Sequence, residues 1–176
     1  MSNTVTRRLY VDTSVIVARY KPRDGLYNSA ESLFNQEGIH FFVSPLTLVE
    51  LYAVLSRVRD QIHTPVSPFP SMNTLVALII QECKLRVITG TNPGVKALGD
   101  IRLRVSPEYF LSMRLAQQLQ LRALDLIHLA YASLARAGYG VSGFVTGDKE
   151  ILNKSSLIRK TLKLEALHPD QVTHTQ

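Results

Sequence analysis

Short apolar runs alternate along the chain with longer stretches whose apolar residues recur every three or four positions. "LYVD" (9–12) is an apolar run closed by an acid. With "TSVIVARY" behind it, the pattern predicts a strand that breaks at Asp12–Thr13–Ser14 into a short helix, any of the three being a suitable N-cap. "NSAESLFNQE" (28–37) has helical spacing and is stopped by Gly38. "IHFFVS" (39–44) predicts a second strand. Pro45 then opens a helix through "LTLVELYAVLSRV", since a first-turn proline gives up an N–H that has no helical partner anyway. Pro65, Pro68 and Pro70 put a loop over 60–70, and "SMNTLVALIIQEC" (71–83) is helical again.

"KLRVITG" and "DIRLRV" follow, two alternating segments parted by a Gly/Pro-containing stretch, 90–100. They predict a long-looped hairpin, or one strand plus an extended arm. Ser106–Pro107–Glu108 starts a helix through "EYFLSMRLAQQLQL", and "RALDLIHLAYASLA" (122–135) carries a second one to "AGYG". "VSGFVTGD" is a strand ending in an acid, "KEILNKS" a short helix and "LKLEAL" a last strand. No internal repeat or low-complexity tract interrupts this order.

Strands alternating with helices imply an α/β fold of three layers, α/β/α, around a mostly parallel sheet. The 176 residues suit a single domain, with residues 1–8 and 169–176 expected as tails and 60–105 as an inserted hairpin region. In such sheets ligands bind beyond the carboxyl ends of the strands, and Asp12 and Asp148 both fall at such ends.

Four acids stand in apolar surroundings: Asp12 in "YVDTS", Glu50 in "TLVELYAV", Asp125 in "ALDLIHLA" and Asp148 in "FVTGD". If they meet at one sheet edge, each pair repels by roughly 4 kcal/mol at about 4 Å for an effective dielectric near 20. A cation or protonation must then relieve the cluster, and a hard-oxygen set of this size suits Mg²⁺ or Mn²⁺. Such a centre serves in-line displacement at a phosphodiester without a nucleophilic side chain. Ser14 and Thr146 add hydroxyls beside the first and last acids. Taken singly, Asp12 and Asp148 read equally as helix caps. Glu50 could share an exposed face with Thr47 and Arg57, and Asp125 could pair with Arg122 or His128. His128 reads as a supporting or packing residue in preference to a metal ligand.

Charge changes the picture in one respect. The chain carries a net +6 (20 cations against 14 acids), a surface that attracts polyanions, so nucleic acid becomes a candidate partner. Arg86, Arg102 and Arg104 sit at alternating positions and are candidate contacts to nucleic-acid phosphates from one face; a charged, solvated edge strand is the alternative. The single cysteine, Cys83, excludes an internal disulfide framework and a Cys-rich zinc site. No apolar stretch reaches membrane-spanning length and the N-terminus lacks an apolar leader core, so the expected compartment is the cytosol.

In order along the chain, "YVDTSVIVARY", "SPLTLVELYAVLSR", "ALDLIHLAYA" and "FVTGDKEIL" resemble the four motifs of the PIN-domain family, over residues 9–168. Within it the chain resembles the VapC-type ribonuclease toxins of prokaryotic toxin–antitoxin pairs. That resemblance implies a PIN fold, a divalent metal and endoribonuclease activity. It makes Asp12, Glu50, Asp125 and Asp148 the acidic ligands, with Ser14 and Thr146 as polar helpers. It further implies a homodimer and an antitoxin whose tail occupies the acidic groove. The long interval between Glu50 and Asp125 departs from a compact toxin, and leaves open a non-catalytic RNA-binding PIN domain or a nuclease of RNA processing or structured DNA.

Overall fold

The computed structural model describes residues 6–64, 71–88 and 92–173. Five strands form one parallel sheet: β1 (Arg7–Val11), β2 (Ile39–Val43), β3 (Leu85–Val87), β6 (Gly143–Val145) and β7 (Glu165–Leu167), in the order β3-β2-β1-β6-β7. The two remaining strands, β4 (Gly94–Leu98) and β5 (Ile101–Val105), pair antiparallel in a ribbon of their own.

The period-2 alternation of the central strands divides the interior in two. Leu9 and Val11, Phe41 and Val43, and Val145 point to one core. There they meet α1 (Thr13–Ala18), α2 (Tyr27–Phe34), α3 (Pro45–Val58) and α4 (Met72–Glu82) through Val15, Leu33, Leu51 and Leu75. Tyr10, Phe42 and Phe144 point to the other core, against α5 (Pro107–Leu119), α6 (Ala123–Tyr139), α7 (Lys149–Asn153) and α8 (Ser155–Leu162). A last helix, α9 (Pro169–Thr173), adds Val172 to the first core. The expected three-layer α/β/α architecture is therefore present. Within it the sheet is wholly parallel.

Local signals explain several of the boundaries. Ser44 caps α3 in a capping box with Thr47, and Pro45 occupies its first turn. Ser71 caps α4 by accepting from the Thr74 amide (3.1 Å). Helix α6 closes at Gly140, whose φ of +70° is the left-handed C-cap that glycine adopts at least cost.

Several expectations need correction. "KLRVITG" and "DIRLRV" do not pair: Leu85–Val87 joins the edge of the central sheet, and Ile101–Val105 turns back on Gly94–Leu98 through Gly99. Within 60–105, α4 and β3 belong to the three-layer body, and only the β4–β5 ribbon has a sheet of its own. Arg86 therefore shares no face with Arg102 and Arg104. It lies opposite Phe42 in the sheet, while the other two stand cross-strand from Ala97 and Val95 on one face of the ribbon. Helix α8, hidden in "SSLIRKTL", leaves only Glu165–Leu167 of the last strand. Arg7 and Arg8, expected in a tail, begin β1, and 169–173 form α9. Of the expected loop, 60–61 end a 3-10 turn (Arg59–Gln61), and the three prolines lie outside the described residues. No helix among the described residues is long and apolar enough to cross a membrane.

Phe144 is fully buried, its ring stacked on Tyr10 at 5.5 Å between centroids. Phe144→Ala is expected to lower unfolding stability by about 3–5 kcal/mol in urea titration, because the β6 backbone holds the resulting cavity open.

Candidate active site

The strand order reverses between β1 and β6: the chain runs from β1 outward to β2 and β3, then returns to the opposite side of β1. Adjacent carboxyl ends at such a switch point open a crevice. Here it is an open cleft of about 480 Å³ whose lining includes Asp12, Ser14, Glu50, Asp125 and Asp148. Asp12 follows β1, Glu50 comes from the middle of α3, Asp125 from the first turn of α6, and Asp148 follows β6. All four candidate acids thus reach one place from four separate elements.

Asp12 occupies the N-cap position of α1, yet its side chain makes no capping bond. Instead, its Oδ2 accepts from the Thr146 hydroxyl at 2.6 Å and the Ser14 hydroxyl at 3.0 Å. Thr146 also accepts from the Asp148 amide (3.0 Å), so one buried hydroxyl ties the ends of β1 and β6 together. Asp148 does cap α7, accepting from the Glu150 amide at 2.6 Å through Oδ1, while still lining the cleft. Between these two residues, a Cβ on Gly147 would lie 2.1 Å from Leu26 Cδ1. A side chain at 147 would therefore force the Leu26 side chain, which packs beside the cleft, to move.

Glu50 is turned inward and does not share an exposed face with Thr47 and Arg57. Its Oε2 accepts from the Thr13 hydroxyl (2.5 Å) and lies 2.6 Å from His128 Nε2. Burial alone would raise this carboxyl, but the His128 hydrogen bond and charge, with the Thr13 hydroxyl, hold it below its ordinary range. His128 is itself 2% exposed, and its Nδ1 sits 2.8 Å from the Tyr10 hydroxyl.

Asp125 is the exception. Its Oδ2 is buried with no hydrogen-bond partner, and its carboxyl is pushed up to about 6 by burial and by the charges of Asp148 and Asp12. Neither alternative partner bonds to it: Arg122 is exposed, 4.0 Å from Glu150, and His128 is held by Tyr10 and Glu50, so the charges of both only partly offset the upward push. The N-terminus of α6 adds a favourable field. The cleft also holds Lys21, whose charge is taken up by Asp24 at 3.2 Å. The carboxylates of Asp12, Glu50, Asp125 and Asp148 are thus left without a lysine or arginine of their own among the described residues, and an orphaned acceptor among them is what a hard divalent cation satisfies. Among the described residues no three acids are set as a ready-made ligand shell. Mg²⁺ keeps several waters and takes one or two carboxylates directly, so acids spread around a cleft meet its demand. The residues present fit the group.

Tyr10 behind the cleft and Lys21 and Asp24 on its lining are polar residues that the sequence did not single out, while Thr13, read there only as a cap, and His128 gain their contact to Glu50. "DTS" holds the only legible signal for Thr13, a second hydroxyl beside Asp12. Arg86, Arg102 and Arg104 are not among the described residues lining the cleft.

Fold and site together define a three-layer α/β protein with an acidic cleft at the switch point of a parallel sheet. The chain belongs to the PIN domain family, whose model matches residues 9–155. It is similar in fold to the crystal structure of PAE2754 from Pyrobaculum aerophilum, at 14% identity over 97% of this chain and 96% of that one, with a TM-score of 0.52. It is likewise similar to the crystal structure of VapBC2 from Rickettsia felis bound to a DNA fragment from their promoter, at 14% identity over 92% and 98%, TM-score 0.51. No curated protein matches the chain.

The raised Asp125 carboxyl has a signed consequence. Its folded value, about 6 against an ordinary 3.8, means that its contribution to stability is complete below about pH 4 and is lost as pH rises through 6. Asp125→Asn is therefore expected to leave metal-free melting unchanged near pH 4. At pH 7.5 it should raise Tm by roughly 2–4 °C, for about 1 kcal/mol after solvent screening. A lowered Tm at pH 7.5 would instead reveal a structural ion pair.

Proposed function

We propose that the chain is a divalent-metal-dependent endoribonuclease, acting as the toxin of a VapBC-type toxin–antitoxin pair. The observation that carries this is the convergence of Asp12, Glu50, Asp125 and Asp148 on one cleft, with Asp125 Oδ2 buried and unpartnered. These four residues would hold Mg²⁺ or Mn²⁺. When bound, the ion neutralises the carboxylates and supplies Lewis-acid polarisation at a phosphodiester oxygen.

The chain's own side chains do the positioning. Ser14 and Thr146 grip one oxygen of Asp12 and leave Oδ1 for the cleft; Thr13 and His128 do the same for Glu50. Fixing each carboxylate before substrate arrives lowers the reorganisation needed in the transition state. Phosphodiester hydrolysis in this cleft calls for no covalent intermediate on a side chain.

RNA is the substrate favoured by the resemblance of the motifs, and the net charge of +6 favours a polyanion generally. Arg102 and Arg104, side by side on the outer face of the β4–β5 ribbon, are the proposed phosphate contacts, with Arg86 a separate one at the sheet edge. The antitoxin partner is supported by the VapBC2 complex, the homodimer and cytosolic setting by the VapC-like motifs alone.

Cleavage of a mixed RNA and DNA panel with Mg²⁺, Mn²⁺ or chelator tests the proposal. RNA should be cut in metal and spared in chelator, with Asp12→Asn, Asp125→Asn and Asp148→Asn each at least about 100-fold slower. Equal residual activity in all three variants would mark a contaminant and refute the nuclease. RNA binding without turnover by the wild type would assign the chain to the non-catalytic PIN domains. For the arginines, an Arg86→Ala/Arg102→Ala/Arg104→Ala protein should flatten the plot of log affinity against log salt by about 0.7 for each phosphate it no longer neutralises. An unchanged slope removes them from the interface.

A further inference from the structure

A buried polar chain runs through the molecule behind the acidic cleft. It starts at the capping box of α3, where the Thr47 amide donates to Ser44 Oγ (3.4 Å). Ser44 Oγ lies 2.8 Å from the Tyr10 hydroxyl, which lies 2.8 Å from His128 Nδ1; His128 Nε2 then lies 2.6 Å from Glu50 Oε2. Tyr10, Ser44 and Thr47 are 0% exposed and His128 2%. The chain thus joins β1, α3 and α6, the elements that end in or carry Asp12, Glu50 and Asp125. Apolar residues of those shapes would pack here at no desolvation cost. The polar groups have a common terminus, Glu50.

Resting on the nuclease reading above, we propose that Tyr10 and His128 are positioning residues for Glu50. Oε2 receives both the imidazole and the Thr13 hydroxyl, and two donors on one oxygen fix the rotation of the carboxylate. Oε1 is left for the cleft. His128 is in turn held from behind by Tyr10, whose ring is locked by stacking on Phe144 and by an edge contact with His128 itself, at 5.5 and 5.9 Å between centroids. Nε2 must carry a proton, because only an N–H there donates to Glu50. The spacing explains the motif: one turn along α6, Asp125 faces the cleft and His128 reaches the neighbouring acid from beneath, so a single helical turn serves two carboxylates.

The test compares wild type with His128→Leu, His128→Gln and Tyr10→Phe. Mn²⁺ affinity is read by calorimetry, and His128 in the metal-free protein by long-range ¹H–¹⁵N spectra. His128→Leu should weaken Mn²⁺ binding by about 10–100-fold, the usual loss when a partner behind a metal ligand is removed. His128→Gln keeps an N–H donor and should recover most of that affinity, while Tyr10→Phe should lose less than His128→Leu. A folded His128→Leu that binds Mn²⁺ as the wild type does would overturn the proposal, as would a Gln variant no better than Leu. The spectra should show Nε2 protonated at neutral pH, with the Nδ1 resonance shifted in Tyr10→Phe. An unprotonated Nε2 overturns the proposal even if the wild type binds no metal, and failure of metal binding by the wild type strikes the nuclease reading alone.

Discussion

Carboxylates gathered in a half-buried cleft repel one another, and that repulsion is the constraint around which the rest of this molecule is organised. Asp12, Glu50, Asp125 and Asp148 occupy the crevice where the strand order reverses. Only a rigid scaffold keeps such groups together, because a mobile one would let them part. Strands on both sides of β1 whose C-terminal residues are buried, and helices pinned by two separate apolar cores, supply that rigidity. The tension is greatest at Asp125, whose carboxyl is driven upward by burial and by two neighbouring acids.

The hydrogen bonds around the cleft share a form. In Asp12 and Glu50, one oxygen takes two side-chain donors and the other is left for the cleft. Asp148 ties one oxygen to a backbone amide of α7. Donors placed behind a carboxylate favour its charged form and fix its direction at once. Most come from residues adjacent to an acid in sequence or one turn away: Thr13 and Ser14 beside Asp12, Thr146 beside Asp148, His128 after Asp125. Ser14 serves the acid of its own motif, yet Thr146 serves Asp12, and Thr13 and His128 serve Glu50, so the first, third and fourth motifs each support the acid of another.

How much could be read from the chain alone varies with the range of the interaction concerned. Strand β2 and helices α3 and α6 were legible because their apolar periodicity, Pro45 and Gly140 act within a few residues. Helix α8 was not, since "SSLIRKTL" is polar overall and short, and its two buried residues, Ile158 and Leu162, make a single i, i+4 repeat that is easily passed over. The pairing of β3 depended on long-range register, whereas β4 and β5 pair locally across Gly99–Asp100. Leu85–Val87 is three residues long and alternates like a hairpin arm, and only the exposed edge of β2 decides where it goes.

The sequence by itself determined the alternation of strands and helices, the four acids and their positions at strand ends or on apolar helices, all of which follow from local periodicity and residue chemistry. Tertiary structure alone decided which donor serves which acid. Glu50 and His128 are 78 positions apart, as Asp12 and Thr146 are 134, and no local pattern encodes such a contact. It arises because parallel strands bring distant segments side by side with all their carboxyl ends at one edge.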